Sequence, residues 1–321
     1  MTPAAVKRIA RECGFELAGI ARAEPAGDFE KYQQWLQRGF AGEMRYLTDH
    51  RAEARRDPRQ LLESAKTIVC VGKLYNTSAA HSGSPISRYA WGQDYHDVLR
   101  RGLEEMVAQL TAIEPFEWKI CADTAPLLER SYARLAGLGW IGRNTCLINE
   151  PMGSWFFLGE ILTSLDLEPD SPPADRCGVC TRCIDACPTQ AIVPGEGGWT
   201  TRESGWTIDS TRCIAYLTIE LRGPVPETLT ESIGSHVFGC DICQEVCPWN
   251  ARAPITAEAA FAERELPPLE DLADLTAAQF RELTRGTPLG RPKHAGFMRN
   301  VRIALENKKS GNPPKDPRSA G

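Results

Sequence analysis

Two cysteine runs and one isolated cysteine give the strongest chemical signal in this sequence. The runs are Cys177-Gly-Val-Cys180-Thr-Arg-Cys183-Ile-Asp-Ala-Cys187-Pro188 and Cys240-Asp-Ile-Cys243-Gln-Glu-Val-Cys247-Pro248. The second run lacks a first cysteine, which the isolated Cys213 can supply. Three cysteines at two-residue gaps followed by Cys-Pro are typical of iron–sulfur ligands. The combined set predicts two [4Fe–4S] clusters.

Crossed ligation is expected, because in two-cluster ferredoxins the fourth cysteine of each run binds the other cluster. The predicted ligand sets are Cys177, Cys180, Cys183 and Cys247 for one cluster, and Cys213, Cys240, Cys243 and Cys187 for the other. Structural zinc is one alternative, although its four-cysteine sites usually use two separated pairs. Disulfides are the other alternative, and they are typical of secreted proteins.

Composition indicates a redox protein of the cell interior. The chain has 321 residues, 42% hydrophobic composition and a net charge of −5, which allows one large core or two domains. From Arg281 onward ten Lys or Arg outnumber three Asp or Glu. No apolar run reaches the ~18 residues of a membrane span, and the first residues do not resemble a signal peptide. The remaining cysteines are expected to be small buried hydrophobes: Cys13, Cys70, Cys121 and Cys146.

The first half of the chain must position any chemistry other than the cysteines. Hydrophobic periodicity predicts helices at 2–13, 29–38, 94–113 and 127–136, a short helix from residue 44, strands at 15–21, 65–72 and 116–122, and a hairpin of 145–148 with 154–163. The stretch 168–175 has three prolines and three acids and is the expected domain boundary. Residues 76–84 and the tail after Lys308 are expected to be a mobile loop and a disordered end.

The second half is expected to be mainly helical outside the cysteine ligands. Short helices are predicted around Ile184, Ile214 and Val246, and residues 251–285 are also expected to be helical. Residues 292–307 predict a basic amphipathic helix.

Asp123 is the best acid–base candidate, because it follows a strand where α/β folds place ligand groups. Apolar surroundings would raise its pKa and keep it protonated as a donor. The alternative is that it caps the following helix. Tyr89, Tyr95 and His96 could donate protons or form an aromatic core cluster. Arg130 could bind an anion or lie on the surface.

Some 175 residues precede the cysteine runs, more than an electron carrier needs, so the N-terminal part is expected to perform reductive chemistry. No G-x-G-x-x-G follows a strand, and no G-x4-G-K-[ST] occurs. A Rossmann nicotinamide or flavin site and ATP-driven electron transfer therefore have no support.

Four motifs resemble those of epoxyqueuosine reductases, and the resemblance as a whole runs in one order from about residue 5 to 305. They are Ser87-Arg-Tyr-Ala-Trp-Gly-Gln-Asp-Tyr-His96, Asp123-Thr-Ala-Pro-Leu-Leu-Glu-Arg130, Gly139-Trp-Ile-Gly-Arg-Asn144 and Gly153-Ser-Trp-Phe-Phe-Leu-Gly-Glu160. The resemblance implies an α+β or α/β fold: a cobalamin- and substrate-binding domain at 1–167 similar to reductive dehalogenases, a ferredoxin-like domain at 168–250, and a basic helical segment with a disordered tail at 251–321.

The implied reaction reduces epoxyqueuosine to queuosine at the wobble position of tRNA. The implied cofactors are base-off cob(II)alamin and two [4Fe–4S] clusters. An unidentified external donor is expected to supply the electrons. A monomeric, cytoplasmic protein with no membrane partner is expected. The alternatives are a reductase of another substrate, which would turn over without tRNA, and a non-enzymatic electron carrier, which would bind no corrinoid.

Residue by residue, the resemblance implies Asp123 as the proton donor. The implied cobalamin contacts are Arg55, Ser87, Asp123, Leu147, Leu158, Ala215 and Asp241, and the implied substrate contacts are Arg130 and Tyr89. Candidate tRNA phosphate contacts are Arg291, Lys293, Arg299 and Arg302, unless these charges form a solvated helix face. The cluster of the second run is expected to lie nearest cobalt. Many members continue into HEAT-like repeats, so fewer tRNA contacts and a shallower salt slope are expected here.

Overall fold

A four-stranded antiparallel sheet organises the first half of the computed structural model, which describes residues 1–77, 84–196 and 204–311. The strand order is β1-β2-β6-β3. Most of the loop predicted at 76–84 and of the predicted tail lies outside the described residues. The strands are β1 (Leu17–Arg22), β2 (Thr67–Leu74), β3 (Trp118–Cys121), β4 (Trp140–Ile141), β5 (Leu147–Ile148), β6 (Phe156–Thr163), β7 (Ile192–Glu196) and β8 (Ser204–Ile208).

Helices cover the sheet and link it to the cysteine-rich segment. The described α-helices are α1 (Pro3–Glu12), α2 (Phe29–Gln37), α3 (Arg45–Thr48), α4 (Arg51–Ala54), α5 (Tyr95–Ile113), α6 (Glu129–Leu135), α7 (Arg182–Asp185), α8 (Ile214–Ile219), α9 (Glu227–Thr230), α10 (Ile242–Glu245), α11 (Ala277–Leu283) and α12 (Lys293–Lys309). No described helix is both long and apolar enough to cross a membrane.

Both faces of the sheet are buried, which explains why β2 and β6 are almost continuously apolar. One core cluster packs α1 and α5 against the sheet, with Val6, Leu99 and Ile161 at its centre. The other packs α2 and α6 against the opposite face, with Tyr132 and Leu162 fully buried. The active-site candidates at the ends of β3 and α5 are therefore fixed by two packed layers.

The predicted helix starts are largely confirmed. Thr2 caps α1 by accepting a hydrogen bond from the Ala5 N–H at 3.3 Å. Asp94 caps α5 by accepting one from the His96 N–H at 3.0 Å. These side chains satisfy backbone donors that have no partner within the helix. The short helices predicted near Ile184, Ile214 and Val246 correspond to α7, α8 and α10.

The predicted hairpin of 145–148 with 154–163 is wrong. Strand β5 pairs with β4, through Trp140 opposite Ile148, and β6 instead lies between β2 and β3. A short turn between two apolar runs therefore did not specify their partners. The alternative that Asp123 caps the following helix is also wrong, because α6 begins only at Glu129. Residues 251–285 contain one α-helix, α11, and short 3-10 turns instead of continuous helix.

The cysteine-rich segment is tied to the sheet domain at the motif that begins at Ser87. The Ser87 N–H donates to the Phe238 carbonyl at 2.7 Å, and Ile86 forms a parallel bridge with Phe238. Helix α12 buries Phe297 and Val301 in a further core cluster that also contains Phe238. The sheet domain, the cysteine segment and the basic helix thus share one packed boundary. The domain limits near residues 167 and 250 remain predictions.

Candidate functional site

Four cysteines of the first predicted set surround one cavity. Cys177, Cys180, Cys183 and Cys247 all line a space of about 320 Å³. Burial raises the pKa of the Cys183 thiol to about 12, and the neighbouring Cys177, Cys247 and Cys180 add to this rise. Cys247 thus comes to the first run from a position 60 or more residues away, as crossed ligation requires.

The second predicted set is also brought together. Burial raises the pKa of the Cys240 thiol, and the nearby Cys213 and Cys187 raise it further. A hydrogen bond with Cys146 raises the pKa of Cys243, and burial, Cys240 and Cys213 raise it as well. The isolated Cys213 therefore lies beside the second run, although it stands 27 positions before Cys240 in the sequence.

The arrangement suits a large inorganic group better than a single ion. Zinc holds its thiolates at about 2.3 Å, which draws four sulfurs into a tight tetrahedron. Among the described residues, no three His, Cys, Asp or Glu side chains converge to hold a single metal ion. The space of about 320 Å³ among the first four cysteines has room for an iron–sulfur cubane.

Asp123 occupies the junction of three cavities. It follows β3 and adopts a left-handed backbone conformation with φ of 58°. Its side chain lines a leucine cavity of about 260 Å³ with Leu147 and Leu158, and a tryptophan cavity of about 370 Å³ with Trp35. It also lines a basic cavity of about 630 Å³ that contains Arg291. A group at this position can act on a molecule that enters from any of the three sides.

His96 is the direct partner of Asp123. Its Nε2 lies 3.1 Å from Asp123 Oδ2, and its Nδ1 lies 2.7 Å from Asp94 Oδ1. Hydrogen bonds to Asp123 and Asp94 raise the pKa of His96 to about 9. His96 is therefore a positively charged imidazolium at neutral pH.

The predicted raised pKa of Asp123 is wrong in this structure. Burial would raise the pKa of Asp123, but hydrogen bonds from His96 and Tyr95 and the charge of Arg291 hold it below its ordinary value. The reason is that the site is not uniformly apolar: cations and a phenol face the carboxylate, whose side chain is 43% exposed. At neutral pH the proton of this pair resides on His96.

Two glutamates close to Asp123 were not singled out from the sequence, although both occur in the quoted motifs. Glu129 Oε1 accepts a hydrogen bond from the Asp123 N–H at 2.7 Å. Burial and the charge of Asp123 raise the pKa of Glu129 to about 8. Glu160 is fully buried on β6 between Cys70 and Cys121, and within the described ranges neither carboxyl oxygen has a hydrogen-bond partner. Burial raises the pKa of Glu160 well above its ordinary value, and the charges of Glu129 and Asp123 add to this rise. A glutamate inside an apolar strand was the available signal.

The residues implied as cobalamin contacts fall into two groups. Arg55, Leu147 and Leu158 line cavities that Asp123 also lines. Ser87 Oγ instead donates to Asp241 Oδ1 at 2.5 Å, which fixes both side chains between the sheet domain and the second cysteine run. Ala215 lies in the first turn of α8, two residues after Cys213.

The residues implied as substrate contacts lie in the same cavities. Arg130 lines the leucine and tryptophan cavities, and its Nη1 donates to the Thr145 carbonyl at 2.7 Å. Tyr89 lines the leucine and basic cavities and packs edge-on against Tyr95, with ring centroids 6.1 Å apart. Tyr89 is therefore part of an aromatic cluster and of a cavity wall at once.

The four candidate phosphate contacts differ in their surroundings. Arg291 and Lys293 line the basic cavity, where Arg291 Nε also pairs with Glu220 at 2.6 Å. Arg302 is exposed on α12. Arg299 instead points inward and donates to the carbonyls at the end of α8 and just beyond it, those of Leu217, Leu221 and Gly223. We therefore remove Arg299 from the candidate phosphate contacts and assign it a structural role.

Two family models match the chain. Residues 55–124 match the family described as "Epoxyqueuosine reductase QueG, DUF1730", and residues 176–250 match the "4Fe-4S double cluster binding domain". The first range includes the Ser87 motif and ends just after Asp123. The second includes every cysteine of both predicted ligand sets.

Similar proteins cover nearly the whole chain. An epoxyqueuosine reductase of Gloeobacter violaceus is 43% identical over 95% of this chain and 96% of its own length. One of Xanthomonas campestris pv. campestris is 40% identical over 95% of this chain and 86% of its own length.

The solved structures that resemble this chain include epoxyqueuosine reductases as well. An epoxyqueuosine reductase with a tRNA-Tyr epoxyqueuosine-modified stem loop has a TM-score of 0.83 and 27% identity, over 95% of this chain and 81% of that one. The enzyme from Streptococcus thermophilus has a TM-score of 0.81 and 30% identity over the same shares. The relatives, together with the cysteine sets and the Asp123 site, show that the chain belongs to the epoxyqueuosine reductase family of oxidoreductases.

Proposed function

We propose that this protein reduces the epoxide of epoxyqueuosine to queuosine at the wobble position of tRNA, using cobalamin and two [4Fe–4S] clusters. The single observation that carries the proposal is the position of Asp123. It faces the leucine cavity on one side and the basic cavity on the other, and it is hydrogen-bonded to a protonated histidine. A planar cofactor and an anionic substrate can therefore meet at one acid–base pair.

The residues around Asp123 fit a corrin. Leu147, Leu158 and Phe156 give the leucine cavity an apolar wall suited to a macrocycle face. The adjoining tryptophan cavity presents the buried Arg55, whose guanidinium lies 5.9 Å from the centre of the Tyr32 ring, a suitable surface for the polar edge of the cofactor. When bound, cobalamin supplies a low-valent cobalt centre that can pass electrons to a carbon–oxygen bond.

The cysteine sets fit the electron path. We assign Cys177, Cys180, Cys183 and Cys247 to one cluster and Cys213, Cys240, Cys243 and Cys187 to the other. Gln244 follows Cys243 directly and lines the leucine cavity. The second cluster is therefore the one nearer the proposed corrin, and the first is the entry point for an external one-electron donor.

Loss of the epoxide oxygen as water consumes two electrons and two protons, so the site must hold a proton donor near that oxygen. Asp123 is the donor we assign, and its backbone is fixed by Glu129. Arg130 and Tyr89 line the same leucine cavity and are assigned to the substrate.

The basic cavity suits the nucleotide. Arg51, Arg55, Arg291 and Lys293 line it, and Arg302 is exposed on the helix that begins at its edge. Lysine and arginine give phosphate affinity that falls as salt rises. We therefore assign the tRNA approach to this side of the molecule.

The test uses protein with reconstituted clusters and added cobalamin, a chemical one-electron reductant and tRNA that carries epoxyqueuosine. The expected result for wild type is conversion to queuosine. Asp123→Asn should still bind the corrinoid, as followed by its absorption spectrum, but its turnover should be at least about 100-fold lower. Unchanged turnover by Asp123→Asn would remove Asp123 as the donor.

Two further outcomes test the rest of the proposal. Equal turnover of the free nucleoside, with no effect of the tRNA, would support a small-molecule reductase instead. Clusters without corrinoid binding would support an electron carrier.

A further inference from the structure

Asp94, His96 and Asp123 form a continuous chain of hydrogen-bonding groups that ends at the site. The two contacts measure 2.7 Å at Nδ1 of His96 and 3.1 Å at its Nε2. The His96 side chain is 26% exposed, so the ring reaches both the carboxylate and water. No other pair in the described ranges joins a histidine side chain to Asp123.

The local fold fixes the His96 ring in this position. Asp94 Oδ1 accepts from both the backbone N–H and the Nδ1 of His96, so the cap of α5 also orients the imidazole. The Tyr95 ring stacks on the imidazole, with centroids 4.1 Å apart and planes 25° apart. With Nδ1 held by one carboxylate, Nε2 is directed at the other.

The charges that face His96 favour its protonated form. Asp94 and Asp123 contact it directly, and their hydrogen bonds raise the pKa of His96 to about 9. Glu129 lies beyond Asp123, and its raised pKa makes it mainly neutral at pH 7. The other titratable groups that line the basic cavity with His96 are Tyr46, Arg51, Arg55, Tyr89, Tyr95, Glu220, Arg291 and Lys293. Arg291 is paired with Glu220, which limits its effect on His96.

We propose that His96 is the positioning residue that supplies protons to Asp123 during epoxide reduction. This inference rests on the proposed function. The Nε2–H bond of His96 breaks and an O–H bond forms at Asp123 Oδ2. Asp123 then gives this proton to the oxygen that leaves as water. Solvent water returns a proton to Nε2 of the neutral imidazole, and the buffer neutralises the hydroxide that remains. The transfer involves no electrons, which come from the one-electron donor of the assay.

The relay explains how an ionised carboxylate can be the proton donor of the site. An aspartate with a lowered pKa holds no proton at neutral pH, but it can receive one from a neighbouring imidazolium at the moment the substrate oxygen gains charge. A histidine that merely braces the Asp123 loop would need no proton. The two roles therefore differ in their dependence on pH.

The first test compares His96→Gln with wild type in single-turnover reactions of the reduced, cobalamin-loaded protein between pH 6 and 10. Glutamine keeps a hydrogen-bonding side chain but cannot carry the proton. The wild-type rate should fall as pH rises through about 9. In His96→Gln the rate at pH 7.5 should be about 10- to 100-fold lower, with an unchanged KM for tRNA. Its rate should not fall near pH 9. His50→Gln, at an exposed histidine before α4, should behave like wild type.

The second test does not use turnover. In cluster-loaded protein with isotope-labelled histidine, the NMR signal absent from His96→Gln should titrate near pH 9 in wild type. In both Asp94→Asn and Asp123→Asn it should titrate at lower pH, because each change removes a carboxylate from the ring.

The outcomes separate the relay from the proposed function. The relay would be overturned if the His96 signal titrated at or below its ordinary pKa. It would also be overturned if His96→Gln had the rate and the pH dependence of wild type. Absence of epoxyqueuosine turnover by wild type, with His96 titrating near pH 9, would instead overturn the proposed function and leave the His96–Asp123 pair established.

Discussion

The carboxyl group of Glu129 holds the backbone of Asp123: Oε1 accepts a hydrogen bond from the Asp123 N–H at 2.7 Å. Asp123 needs such support, because non-glycine residues with φ near +58° are uncommon and cost free energy. Glu129 is the first residue of α6, and α6 packs against β1 and β6. The position of the proposed donor is thus anchored in the core.

Two replacements of Glu129 should separate its acceptor role from its ability to titrate. Glu129→Gln keeps a side-chain oxygen and should retain most of the turnover. Glu129→Ala removes the acceptor, frees the Asp123 backbone and should reduce turnover about tenfold or more while corrinoid binding persists. Single-turnover rates and absorption spectra measure both effects. Equal activity of the alanine and glutamine variants would contradict the anchoring role.

The same residue should make stability depend on pH. The pKa of Glu129 is raised to about 8 in the folded protein by burial and by Asp123, against about 4.3 in an unfolded chain. The folded state therefore holds a proton that the unfolded state lacks, and the free energy of unfolding falls as pH rises between these values. Glu129→Gln removes this loss and should raise the apparent Tm at pH 8.5, relative to pH 6, by roughly 2–4 °C. Glu104→Gln, on the exposed face of α5, should show no such difference.

Loss of one crossed ligand should remove one cluster. Cys247→Ser should bind about four iron atoms per chain after reconstitution, instead of about eight, because the cluster of the first run loses its fourth ligand. Turnover with an external reductant should fall strongly. Iron and sulfide analysis measures the stoichiometry, and Cys13→Ser is the control, since Cys13 lies at the end of α1. Full iron content in Cys247→Ser would contradict the assigned sets.

A glycine controls the approach of β1 to α6. A Cβ at Gly19 would lie 1.9 Å from the carbonyl oxygen of Ala136, a backbone atom that cannot move aside cheaply. Gly19→Ala should destabilise the protein by at least about 1–3 kcal/mol and lower the apparent Tm by several degrees. Gly27→Ala is the matched control, because nothing lies within 4 Å of its added Cβ. Equal melting curves for the two variants would contradict the close approach.

Two arginines on α12 should have opposite phenotypes. Arg299→Gln leaves the carbonyls of Leu217, Leu221 and Gly223 without a charged donor and should destabilise the fold by about 2–3 kcal/mol. The exposed Arg302→Gln should leave the Tm unchanged and weaken tRNA binding, with a salt slope lower by up to about one unit. Thermal melts and binding titrations at several salt concentrations separate the two. Unchanged tRNA binding and salt slope in Arg302→Gln would remove that residue from the proposed interface.

The sequence by itself determined the features that depend on local spacing. The cysteine runs and the helix starts at residues 2 and 94 follow from short-range rules of ligand geometry and hydrogen bonding. Asp123 was also identified as the acid–base candidate, because it follows a strand and falls within a motif of the family.

Only the tertiary structure decided what surrounds those features. It paired β5 with β4 and inserted β6 between β2 and β3, because strand partners are chosen by packing on both faces of a sheet and not by turn length. It turned Arg299 inward, since the ends of α8 and the start of α12 meet there. It also moved the proton of the acid–base pair to His96. His96 and Asp123 lie 27 positions apart in the sequence, but their side chains are 3.1 Å apart in the fold, and that contact sets the charge of both groups.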